Sequence, residues 1–156
     1  MVSNTGIRSE QVGRNSKLSK GQGLVEFALL LPILVLIVFG VLELGRAFFA
    51  FIAISNAARE GARVFTFRPD VTTVANIYTA VNTEIGSSPL VDVTKIASIQ
   101  IQCGSTYGNV ANDTALKACP KEQPIRVTVT YDYNLIFTLF FPNSLTLQRS
   151  AEMMVP

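Results

Sequence analysis

Lys20-Gly21-Gln22-Gly23-Leu24-Val25-Glu26-Phe27 is the stretch where a basic, polar leader stops at a glycine and a single carboxylate enters an apolar run that lasts to Leu42. A carboxylate is costly in such a run, so Glu26 marks a position with a task. From Phe27 to Leu42 sixteen residues carry no charge. At helical rise they cover about 24 Å, slightly short of the ~30 Å hydrocarbon core of a bilayer. Leu24 and Val25 close the deficit if Glu26 snorkels to the cytoplasmic interface. Glu43 and Arg46, three apart on a helix, offset each other before Ala47-Phe48-Phe49-Ala50-Phe51-Ile52-Ala53-Ile54 continues. One membrane span follows. A secretory signal peptide fits less well, because the apolar region is too long, the leader too extended, and no small-residue cleavage site follows directly.

Charge supports this orientation. Residues 1–21 hold four cations, Arg8, Arg14, Lys17 and Lys20, against Glu10, a net of +3; the remaining nine cations and ten acids leave −1 for residues 22–156. The basic balance therefore sits before the span, where it keeps the N-terminus cytoplasmic, and the C-terminal part faces an oxidising space. With 156 residues, 49% of them hydrophobic and 15% charged, the chain has room for one small folded unit besides the apolar segment. Cys103 and Cys119 lie in the exported part and enclose a polar stretch. They are either bridged, which would contribute roughly 3 kcal/mol in the chain-entropy model, or two separate buried thiols; export favours the bridge. Zinc has no histidine and no second cysteine pair to draw on, so neither a metal nor a cofactor is expected.

Within the span, Pro32 removes one backbone hydrogen bond, and Gly40 and Gly45 loosen the helix further on. Pro32 is either an ordinary feature of an anchor or a weak point that lets the helix stretch when the subunit leaves lipid. The helical pattern runs on to about Phe65, and Arg68-Pro69-Asp70 breaks it. Ala53, Ala57 and Gly61 recur at spacing four, with Ala58 and Ala62 alongside, a small-residue face that admits close approach. Its partner is either a neighbouring helix or the chain's own C-terminal sheet. Arg59, Glu60 and Arg63, on and beside it, offer salt-bridge registration between neighbours.

Gly21-Gln22-Gly23-Leu24-Val25-Glu26-Phe27-Ala28-Leu29-Leu30-Leu31-Pro32, then Glu43-Leu44-Gly45-Arg46, then Ala57-Ala58-Arg59-Glu60-Gly61-Ala62-Arg63, resembles the N-terminal signature of the TadE-like proteins of tight adherence (Tad) pilus systems, within the type IV pilin-like superfamily. The resemblance covers about residues 20–64. It implies an α+β, type IV pilin-like fold: a cytoplasmic prepilin leader over 1–21, a long hydrophobic helix over 22–66 that serves as membrane span and filament core, and an exported head over 67–156 with a small antiparallel sheet. It also implies cutting between Gly21 and Gln22 by a membrane prepilin peptidase, which makes Glu26 the fifth mature residue, paired with the new ammonium of Gln22 in a neighbouring subunit. Other implied partners are further copies or related pilins through helix packing and an inner-membrane assembly platform. The implied location is the inner membrane before assembly and the cell surface afterwards. Principal Tad pilins are short and almost wholly helical, so a sheet-bearing chain of this size leans by analogy toward a minor subunit, with the principal building block as the alternative.

The exported part is expected to contain a second amphipathic helix over Val71–Ile85, ended by Gly86-Ser87-Ser88-Pro89, and strands over Ile96–Cys103, Ile125–Tyr133 and Leu145–Val155. Leu135–Pro142 is too short to cross a bilayer and reads as a buried strand, a loop packed on the long helix, or an exposed apolar patch. Asn112-Asp113-Thr114 is an N-glycosylation sequon in the loop that the cysteines enclose.

Enzymatic chemistry finds no purchase. Without histidine there is no Ser-His or Cys-His pair, and no phosphate-binding or dinucleotide glycine loop occurs. Asp70, Asp92, Asp113 and Asp132 read as solvated surface charge, and the exported part lacks the basic clusters of a nucleic-acid binder. The competing reading to a pilin-like subunit is a permanently anchored single-pass protein with a small scaffold or sensing domain.

Overall fold

A computed structural model describes residues 18–136 and 143–156. The chain forms two compact units, one ending at Val38 and the other running from Phe39 to Pro156. Helix α1, Leu18–Phe67, is continuous and contains Pro32. It ends where Pro69 forbids continuation, and the buried Thr72 hydroxyl stitches the end by donating to the carbonyls of Arg68 at 2.7 Å and Val64 at 3.2 Å. Helix α2, Val74–Gly86, starts at Thr73, whose side chain and that of Asn76 satisfy each other's backbone amides in a capping box.

The second unit is a four-stranded antiparallel sheet, β1 Ile96–Cys103, β2 Gly108–Asn109, β3 Pro124–Asn134 and β4 Ser144–Met154, in the order β2-β1-β3-β4. The register sets the two faces. Ile101, Val127 and Ala151 align in one row and Cys103, Ile125 and Met153 in the next, all directed inward, whereas Gln100-Thr128-Ser150 and Gln102-Arg126-Glu152 form polar outward rows. Alternation in these strands is thus a statement about which side is covered. The inner face meets the second half of α1 and the Ile77, Val81 and Ile85 face of α2, and this cluster is the core. Arg149 sits on the inner face and lays its guanidinium over the Phe51 ring at 4.5 Å, so the edge strand carries an inward charge of the kind that discourages edge-to-edge pairing.

The expected α+β architecture is the one observed, a long apolar N-terminal helix followed by a small antiparallel sheet. The three main strands and α2 fall within a few residues of their expected bounds. The loop between the cysteines is more structured than expected, since it contains β2 and a short helix α3, Asp113–Lys117. Of the ambiguous segment Leu135–Pro142, Leu135 packs at the edge of the core and Ile136 is exposed; the rest lies outside the described residues, as do leader residues 1–17.

Candidate assembly surface

From Gly21 to Leu42 every residue of α1 is exposed. A helix that is apolar on all sides and uncovered by its own chain belongs in lipid or among other helices. The segment is long and apolar enough to cross a membrane. Gly21 and Gln22 lie within α1, and the Gln22 side-chain amide donates to Glu26 Oε1 at 3.3 Å, an i,i+4 bond on the helix surface. Nothing lies within 4 Å of a Cβ placed at Gly40 or Gly45.

Further along, the helix changes role. Of the two partners open to Ala53, Ala57 and Gly61, the chain's own head is the one present: all three are buried, and a Cβ added to Gly61 would stand 2.8 Å from Val81 Cγ2 and 3.2 Å from Val127 Cγ1. Small residues at that spacing let α1 settle onto α2 and β3 at short range, and period alone cannot say whose backbone approaches. The charges alongside point outward: Arg63 binds Glu60 through two hydrogen bonds of 2.6 and 2.7 Å on the same helix, which holds the Glu60 carboxyl below its usual range, and Arg59 is exposed.

Where the sheet first reaches the helix, a polar cluster forms that the pair Glu43 and Arg46 only half announces. Glu43 Oε1 accepts from the Tyr133 hydroxyl at 2.7 Å, from Arg46 Nη1 at 3.1 Å and from the Ile136 amide at 3.4 Å. The Glu43 side chain is 12% exposed, and the Arg46 guanidinium lies 5.5 Å from the Tyr133 ring centre. Burial, and then the carboxylate beside it, push the Tyr133 phenol up to about 12. A tyrosine at the inward phase of an alternating strand was the available signal; its partner 90 residues away was not.

The loop after β1 is tied by the Cys103–Cys119 disulfide, with Cα atoms 5.8 Å apart. Three of the four aspartates fasten backbone or side chains. Asp92 accepts from the Thr94 amide and hydroxyl, which lowers its pKa; Asp113 Oδ1 receives the Val74 amide at 2.7 Å, capping α2 from α3; and Asp132 takes the Thr146 hydroxyl. Asn112, exposed, caps α3 by accepting from the Ala115 amide at 2.9 Å. Among the described residues no group of three or more His, Cys, Asp or Glu side chains is arranged to hold a metal ion.

Residues 21–63 match the family model of TadE-like proteins. Over that stretch the chain is similar to TadE-like proteins. The matched segment covers the exposed apolar helix, the Glu43 and Arg46 positions and the buried small-residue face, and with the sheet that follows it fits a pilin-like subunit of a Tad system. No curated protein and no solved structure gives a match.

Proposed function

We propose that this TadE-like chain is a structural subunit of a Tad pilus, held in the inner membrane by α1, cut between Gly21 and Gln22 by a prepilin peptidase, and transferred from lipid into or onto an extracellular filament that serves adhesion. The observation that carries the reading is the uncovered apolar first half of α1 within a TadE-like segment: a surface of that kind needs either lipid or other helices, and a pilin uses the two in turn. Cleavage leaves residues 22–156, with a helical rod and an exported head. Glu26 then pairs with the Gln22 ammonium of a neighbour, since opposite charges together in an apolar filament cost far less than either alone. Pro32 is the place where the helix gives during extraction, and the inner-membrane assembly platform is the expected partner.

The test is the mature N-terminus. Mass spectrometry of the chain from membranes and from purified filaments is expected to give a polypeptide starting at Gln22. A full-length chain starting at Met1, found only in membranes, favours the permanent anchor with a small extracytoplasmic domain and ends the pilin reading. Glu26→Gln is expected to lower incorporation into filaments, and unchanged incorporation removes the pairing.

A further inference from the structure

The outer face of the sheet, turned away from α1 and α2, carries a polar depression of about 310 Å³ over β1, β3 and β4. Register places Thr128 at its floor, with Gln100 and Ser150 beside it on the flanking strands and Gln102, Arg126 and Gln148 in the adjacent rows. Thr128 is 7% exposed, yet its hydroxyl has no hydrogen-bond partner among the described residues, and neither has the side chain of Gln100, Gln102, Gln148 or Ser150. A polar group buried to that degree is ordinarily satisfied, and here the depression is where it opens. The charges at the rim cancel. Arg126 Nε donates to Glu152 Oε1 at 2.7 Å, the guanidinium lies 3.6 Å from the Tyr107 ring centre, and the Tyr107 hydroxyl donates to Glu152 Oε2 at 3.2 Å. Tyr107 reaches this place from a left-handed backbone at a φ of 50°, a conformation that costs energy for any residue but glycine and persists only where its surroundings fix it.

We propose that this depression binds a neutral saccharide, a hexose or N-acetylhexosamine unit of an uncharged glycan. Each free glutamine amide both donates and accepts, as do the hydroxyls of Thr128 and Ser150, and the hydroxyls of a sugar ring answer in kind. An apolar ligand would strip water from three amides without replacing their bonds. An anion or a cation finds Arg126 and Glu152 already engaged with each other. A peptide laid across a sheet turns alternate side chains, not its own amides, toward the surface beneath it. A face that joins two copies of a chain is ordinarily more apolar than this one. The central row rises from β3, which is paired on both sides, so the backbone beneath the site is fixed before any ligand arrives. Such a site deepens the adhesion role proposed above, and rests on that reading for the head's place outside the cell.

Glycan-array binding by the full-length chain, purified in a detergent without a sugar headgroup, tests this. Neutral hexose and N-acetylhexosamine oligosaccharides are set beside uronic and phosphorylated ones. Retention on neutral members is expected, unchanged between about 0.05 and 0.5 M salt because no net charge is involved. Thr128→Val, which keeps the shape and the strand propensity, and Gln148→Ala, which removes an exposed amide, are each expected to weaken binding of the retained oligosaccharide about tenfold, with thermal midpoints showing that both variants are folded. Thr79→Ala on α2 is expected to bind as the wild type does. Retention only on acidic glycans and released by salt overturns the proposal, as does no retention on any neutral glycan or equal binding by wild type, Thr128→Val and Gln148→Ala. So does a dimer in solution that these two variants break up, which would make a second copy the occupant. The N-terminus read on the chain from membranes separates this inference from the pilin reading. A chain that starts at Met1 and binds keeps the site and removes prepilin processing, and a chain cut at Gln22 that binds no neutral glycan does the reverse.

Discussion

Tyr133 is the residue on which the lower end of the head turns. It is 4% exposed, and its hydroxyl supplies the shortest of the bonds to Glu43. Removing the hydroxyl in Tyr133→Phe leaves Glu43 with Arg46 and a weak amide contact, at an expected cost of about 1–2 kcal/mol in chemical denaturation of the detergent-solubilised chain. The same residue sets an alkaline limit. Its folded pKa is raised from 10.0 to about 12, so the native state holds the phenol proton more tightly than the unfolded chain does. Its contribution is fully present below pH 10 and falls away as pH rises toward about 12. Denaturation midpoints measured across that window are expected to fall in the wild type and to fall less in Tyr133→Phe; equal slopes would show that the phenol is not held this way. At Gly61 the constraint is space. Gly61→Ala gains helix propensity but drives a methyl against Val81 and Val127, and a net loss of about 1–2 kcal/mol is expected by thermal denaturation, whereas the same change at the open Gly45 is expected to leave the midpoint unchanged or raised.

Among the elements, the segment between the cysteines is the one whose order depends most on a covalent tie. The disulfide joins the end of β1 to the residue after the C-cap of α3, and Gly104, at a φ of 81°, makes the turn that leads from β1 toward β2. Neither a two-residue strand nor a five-residue helix holds itself together. Cys103→Ser with Cys119→Ser is expected to cost about 3 kcal/mol, with hydrogen exchange rising first over residues 104–118. Because Asp113 caps α2, protection at the Val74 amide is expected to fall as well. Exchange confined to α3, with Val74 unchanged, would mean that the cap is not a tie between the two helices.

As a whole molecule, the chain combines a core-forming half of α1 with a half that its own fold leaves bare. The side chains from Leu24 to Leu42 are exposed, whereas the inner face of the sheet is filled by α2 and the second half of α1. Full-length protein in isolated membranes is therefore expected to resist alkaline carbonate and to come into solution only with detergent; release by carbonate would contradict a spanning α1.

By itself the sequence determined the long apolar helix, the break at Pro69, and the strands and second helix, since each is written in a local pattern of period or forbidden backbone geometry. Leucine and valine crowded from Leu24 to Leu42 need no partner to be identified as lipid-seeking, and alternation from Ile125 to Tyr133 needs no neighbour to be a strand. Only the tertiary structure decided that Ala53, Ala57 and Gly61 serve the chain's own core, that Glu43 takes Tyr133, and that Asp113 caps α2 from a distance. Those are questions of which distant surfaces come together, and a small side chain or a lone carboxylate looks the same whichever surface arrives.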